Sequence, residues 1–162
     1  GARAAARWDP DRLYLAVRVA DDVHVNEQSD GALWDGDGLQ LGFAPEPYVP
    51  ASAYYEWGVA LTASGVQRWA WRAVPGQPTG SLGFPCAIVR TGGETVYELA
   101  IPWGMLQPVV PAAGRTIGFG LCLNEKDTGS RGHYAWHAGI ATDKDRLLFG
   151  QVTLVEHAPA AR

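Results

Sequence analysis

The sequence predicts an all-β domain, an antiparallel β-sandwich of immunoglobulin-like jelly-roll type with almost no helix. Three observations carry that expectation. Apolar residues alternate with small or polar ones in at least five separate runs, the mark of half-buried strands. Stretches rich in Pro and Gly separate the runs, and proline cannot donate into a ladder. No segment of ten residues shows the amphipathic spacing of a helix.

The elements follow in chain order. Leu13, Leu15, Val17 and Val19 alternate with Arg12, Tyr14, Ala16 and Arg18, and Leu39, Leu41 and Phe43 with Gln40 and Gly42. Tyr55, Trp57, Val59 and Leu61 alternate with Glu56, Gly58, Ala60 and Thr62. Ser64-Gly65 then turns the chain into a partner strand from Val66 to Val74, forming a hairpin. A short strand covers Cys86 to Arg90, and a longer one places Thr95, Tyr97, Leu99 and Ile101 on one face. Pro102 to Leu106 makes one helical turn with proline at its start. Ile117, Phe119, Leu121 and Leu123 alternate with Gly118, Gly120, Cys122 and Asn124, and short strands over His133 to Trp136 and Phe149 to Val155 complete the set. Ala44 to Ser52, Pro75 to Pro85 and Gln107 to Gly114 read as surface loops.

At 162 residues and 47% hydrophobic content the chain builds one core, so a single domain over 1–162 is expected, as part of a larger chain. A net charge of −4 excludes the basic footprint of a nucleic-acid binder, and every apolar run is too short for a helical membrane span. Gly1 to Arg7 carry no secretory signal pattern. Cys86 and Cys122 are too few for a disulfide framework or a Cys-based zinc site; two small buried thiols are the preferred reading, a single bridge the other.

The second face of three strands is unusual. Gln40 and Gly42, then Glu56, Gly58 and Ala60, then Gly118, Gly120, Cys122 and Asn124 are small residues with a few polar ones among them. Glycine weakens a strand interior unless something approaches the backbone closely. Two readings fit: a long loop folds over the face and fills it, or the face floors a ligand trough with Gln40, Glu56 and Asn124 as hydrogen-bonding groups.

Several segments resemble the family 9 carbohydrate-binding modules and their DOMON-like relatives. They are Trp8-Asp9, the Leu13 to Val17 strand, Asp21-Asp22, and Trp34-Asp35-Gly36-Asp37-Gly38-Leu39-Gln40-Leu41. In the second half they are Tyr97-Glu98-Leu99-Ala100-Ile101-Pro102-Trp103, Ile117-Gly118-Phe119, Asn124-Glu125, Trp136 and Phe149-Gly150. The resemblance runs from about Trp8 to Val155. It implies a non-catalytic glycan-binding domain attached to a secreted or cell-surface bacterial polysaccharide-degrading enzyme, its partners an oligo- or polysaccharide and neighbouring domains. The rival expectation is an accessory sandwich that packs on a catalytic neighbour and binds no sugar.

By the same resemblance Trp34 stacks on a pyranose ring and Gln40 hydrogen-bonds its hydroxyls; Asn124 lies on the same trough face. A second clamp tryptophan is absent from Ile140 to Leu148, and Gly58, Ala60 and Cys122 stand where binders carry larger polar residues. The resemblance also implies opening strands ahead of Gly1, so the chain is expected to lack an edge or borrow one. Trp57, Trp103 and Trp136 are expected in the core. Trp69 and Trp71 share a strand face that either packs on a neighbouring sheet or loop or offers a sugar platform, and Trp71 joins the candidate binding residues.

Asp21, Asp22, Asp30, Asp35 and Asp37 concentrate acid at one end of the sandwich, and calcium sites in similar modules imply a calcium ion with Asp22, Asp35 and Asp37 as ligands; turn-capping aspartates are the other reading. His133 and His137 stand too far apart on a strand to share an ion. Thr128-Gly129-Ser130-Arg131-Gly132 misses the nucleophile elbow, because Thr128 stands where glycine is needed. Glu56 with Glu98 is the remaining catalytic pair to consider, as in a glycosidase, and no catalysis is expected from it.

Overall fold

The computed structural model describes residues 1–47, 49, 53–127 and 130–156. The expected loop from Ala44 to Ser52 and the Thr128-Gly129 pair therefore lie partly or wholly outside the described residues. Among these, the strands in chain order are β1 (Ala2–Trp8), β2 (Arg12–Ala20), β3 (Gly38–Ala44), β4 (Tyr55–Thr62), β5 (Gly65–Arg72), β6 (Gly80–Ser81), β7 (Cys86–Thr91), β8 (Glu94–Pro102), β9 (Thr116–Asp127), β10 (Ser130–Trp136) and β11 (Gly150–Thr153). Short 3-10 turns occupy Asp30–Asp35, Trp103–Leu106 and Arg146–Leu148. One sheet runs β1-β2-β8-β7 and the other β10-β9-β3-β4-β5-β6, with β11 also on β9; every pairing is antiparallel.

The alternation seen in the sequence sets which side chains meet between the sheets. Leu13, Leu15, Val17, Tyr97, Leu99 and Ile101 from the first sheet close on Leu39, Leu41, Phe43, Tyr55, Trp57 and Val59 from the second. Trp57 is the hub, with Phe43, Tyr55 and Phe84 ring centroids 5.3, 5.5 and 5.7 Å away. Each such side chain contributes about 1.5–3 kcal/mol by leaving water. Trp103 is buried as expected, and its indole N–H donates to the Asp9 carbonyl at 2.9 Å.

Three differences from the sequence reading have physical causes. Strand β1 is not among the expected strands, because Ala-Arg-Ala-Ala-Ala-Arg-Trp has no bulky alternation; it is an exposed edge strand held by its ladder to β2 and by the Trp8 indole N–H on the Val155 carbonyl at 2.8 Å. The first sheet thus takes its edge from this chain. Trp136 is not core: β10 is also an exposed edge, and Trp136 stays 45% exposed while leaning on Phe119. The Pro75 to Pro85 loop carries the two-residue strand β6, too short for any period to reveal.

The two sheets differ on their outer faces. On β2 the outward residues are exposed or half-buried, whereas every residue of β3 is buried. Chain outside the sandwich must therefore cover the second sheet.

Candidate functional site

The register places the small residues side by side. Gly42 of β3 faces Gly120 of β9 and Glu56 of β4, and Gln40 faces Cys122 and Gly58. Part of this surface is filled by the chain between β10 and β11. A Cβ on Gly42 would stand 2.5 Å from Phe149 Cζ and 2.9 Å from Ile140 Cδ1, and one on Gly120 would meet the same two side chains at 3.2 Å. Ala44, Tyr54, Cys122, Ile140 and Phe149 form a second apolar cluster there, separate from the main core. The glycines of this half make room for a loop, which is the first of the two readings.

The other half of the face is open. The six-membered ring of Trp71 on β5 packs against Gly58, where a Cβ would be 2.3 Å from Trp71 Cη2, and its indole N–H donates to the Gly31 carbonyl at 2.8 Å. Trp69 also borders Gly31. Both tryptophans of the hairpin thus pack against the Asp30–Asp35 turn, and that turn carries Trp34. Between them and the β10–β11 segment remains a cleft of about 580 Å³ whose lining includes Trp34, Gln40, Glu56, Trp71 and Asn124. All five binding residues expected from the sequence are thereby gathered in one place by four strands and a turn.

Gln40, Glu56 and Asn124 are buried in the cleft floor. The Gln40 amide donates to Asn124 Oδ1 at 3.4 Å. Lys144 reaches into the floor, pairing with the Glu56 carboxylate and donating to Gln40 Oε1 at 3.3 Å and the Ile140 carbonyl at 2.8 Å. A buried carboxylate is costly unless paired, and Lys144 supplies the partner. Lys144 is one of only two lysines, and the need of a buried Glu56 for a cation was the signal that could have found it. Burial pushes the Cys122 thiol up to about 11, against the pull of Lys144 and Arg131.

Trp34 is 42% exposed and is not bare. The Arg131 guanidinium of β10 lies 4.4 Å above its ring centre, within the range of a cation–π contact. Ile140 to Leu148, which holds no aromatic residue, supplies Ile140 and Lys144 instead; the second aromatic of the cleft is Trp71.

The acidic cluster is arranged differently from the expected calcium set. Asp22 is exposed, and Asp35 is engaged by Lys126 Nζ at 3.2 Å and Arg131 Nε at 3.8 Å. Asp37 is instead beside Asp21 and His24, with one ligand atom of each within 4.8 Å of the others, a group that could hold a metal ion. His24 Nε2 lies 2.9 Å from the Leu61 carbonyl, so it must be the donor, which leaves Nδ1 buried with no hydrogen bond among the described residues, 3.9 Å from both Asp21 and Asp37. Asp37 already accepts from the Val25 and Lys126 backbone N–H groups, and Asp21 from the Val23 N–H and from Arg90. Burial holds the Asp37 carboxyl above the usual range, with the Asp21 charge adding to it against these hydrogen bonds. The group offers one imidazole nitrogen and two partly engaged carboxylates, a mixed nitrogen and oxygen donor set.

No paired carboxylates span the cleft among the described residues. Glu98 is exposed on the outer face of the other sheet, so the whole sandwich separates it from Glu56. His133 borders the cleft, whereas His137 packs against the Trp136 ring. Both cysteines are free thiols, one on each sheet.

A two-sheet sandwich with an aromatic and amide-lined cleft on one outer face has the build of a ligand-binding module. The chain belongs to the carbohydrate family 9 binding domain-like family, whose model it matches over residues 1–157. It is similar in fold to a family 9 carbohydrate-binding module from Caldicellulosiruptor kristjanssonii, solved in complex with glucose and in complex with cellotriose. The TM-score is 0.73 and the identity 17% for both, covering 99% of this chain and 79% or 78% of those. No curated protein matches the chain.

Proposed function

We propose that this domain is a non-catalytic module that holds an oligo- or polysaccharide in the cleft, as part of a secreted or surface polysaccharide-degrading protein. Trp34 and Trp71 offer indole surface to the C–H face of a sugar ring, and Gln40, Glu56 and Asn124 offer amide and carboxylate groups to its hydroxyls. The observation that carries the reading is the cleft itself, where two half-exposed indoles border buried polar side chains. Membership of a carbohydrate-binding family, and the glucose and cellotriose held by modules of the same fold, support it.

The accessory-domain reading draws on Ile140 and Phe149, which occupy half of the same face. Calorimetric titration of the protein against a panel of soluble polysaccharides and oligosaccharides separates the two. Binding by the parent, lost in Trp34→Ala without a matching fall in melting temperature, is the expected result. A panel with no binder, or equal binding by Trp34→Ala and parent, refutes the assignment. Were Trp34 buried, its removal would cost about 3–5 kcal/mol of stability.

A further inference from the structure

We infer that the cleft selects an acidic sugar, one bearing a carboxylate, and that Arg131 is the group that binds the carboxylate. The inference rests on the glycan-binding reading above and names its ligand class.

The charges around the cleft do not balance. Lys144 is satisfied: its ammonium has three hydrogens and faces Glu56, Gln40 Oε1 and the Ile140 carbonyl. With Lys144 on Glu56, the floor is neutral. At the rim, Asp35 is the nearest carboxylate to Arg131, and it is shared with Lys126, which holds it more closely at 3.2 Å against 3.8 Å. Three cations therefore meet two carboxylates, and Arg131 is the one left over.

Arg131 is also the cation with donors to spare. Among the described residues its guanidinium makes no hydrogen bond; its Cζ stands over the Trp34 ring at 4.4 Å, with Nε 3.8 Å from Asp35. With no hydrogen bond made, its N–H fork is open to donate two parallel bonds to a carboxylate. Its position on an indole limits the conformational freedom that a surface arginine would lose on binding. His133, two residues on and so on the same strand face, also lines the cleft, with Gly132 between them adding no bulk. Among the described residues no acidic side chain other than Glu56 lines the cleft; Asp35, 3.8 Å from Arg131 Nε and held by Lys126, is the carboxylate beside which an incoming one would bind.

The test titrates the protein with matched pairs, a neutral xylo-oligosaccharide and its glucuronate-substituted counterpart, and with oligogalacturonate and a sulfated oligosaccharide. The acidic member of the pair should bind about tenfold or more tightly at low ionic strength, with the preference falling as salt is raised. Arg131→Gln should bring the ratio of acidic to neutral affinity close to one, and Arg131→Lys should keep part of it. An unchanged melting temperature in both variants shows that the fold is intact. Equal affinity for the two members of the pair overturns this inference while leaving the sugar reading standing, and so does a preference that survives Arg131→Gln. Equal or tighter binding of the sulfated ligand overturns the carboxylate assignment. Failure of every saccharide to bind overturns the glycan reading itself.

Discussion

Gly58→Ala is the most direct perturbation of the cleft wall. The new methyl would sit 2.3 Å from Trp71 Cη2, 2.9 Å from Cζ3 and 3.1 Å from Cζ2, so one ring meets it edge to edge. Ordinary carbon contacts lie near 3.5–4.0 Å, which means the indole must withdraw by roughly 1 Å or more. Because β4 is an interior strand buried on both faces, the backbone under Gly58 has little room to yield and Trp71 moves instead. That movement breaks the hydrogen bond to the Gly31 carbonyl, costing about 1 kcal/mol, and overpacking adds a comparable amount. A loss of about 1–3 kcal/mol is therefore expected, read as a lower urea midpoint at unchanged slope. Gly83→Ala is the control: a Cβ there meets nothing within 4 Å, so its effect should stay within about 0.5 kcal/mol. Equal midpoints for the parent and both variants would refute the placement of Trp71 on Gly58.

Two further outcomes follow from burial. Trp57→Ala should cost about 3–5 kcal/mol and Trp136→Ala well under half of that, since one indole is 1% and the other 45% exposed; equal losses would contradict the edge position of β10. Burial raises the Cys86 and Cys122 thiols to about 11, so both should resist a thiol reagent at pH 8 in the native protein and react freely in urea. The sign of the linkage is fixed: the unfolded chain releases these protons near pH 9 and the native one near 11, so stability should fall as pH rises through that window. Tyr55, raised to about 12 by burial, extends the fall upward, and a flat urea midpoint between pH 8 and 11 would contradict it.

The sandwich was legible wherever large apolar residues alternate. Leu13 to Val19, Leu39 to Phe43 and Tyr55 to Leu61 each show in the sequence which face enters the core, because period two ties burial to residue parity. The edges were not legible. On β1 the alternating positions are alanine and arginine, and on the exposed edge strand β10 Trp136 only leans on the rim of the core at Phe119, so parity says nothing about burial. The cleft floor could be read from Gln40, Glu56 and Asn124, polar residues sharing parity with glycines. Its cations could not: Lys144 meets Gln40 across 104 positions and enters from irregular chain, where no period relates one residue to another. Of the expected metal ligands only Asp37 falls in the group that could hold an ion, for a related reason. Asp35 and Asp37 are neighbours in sequence, yet lysine and arginine side chains claim one while two backbone N–H groups claim the other.

The second apolar cluster has its own consequence. Ile140 and Phe149 anchor their segment to the outside of the sheet, against Tyr54 and Cys122, without entering the space between the sheets. The cleft wall and the core between the sheets thus draw on different sets of side chains. Substitutions between 140 and 149 can reshape that wall while the scaffold beneath stays constant.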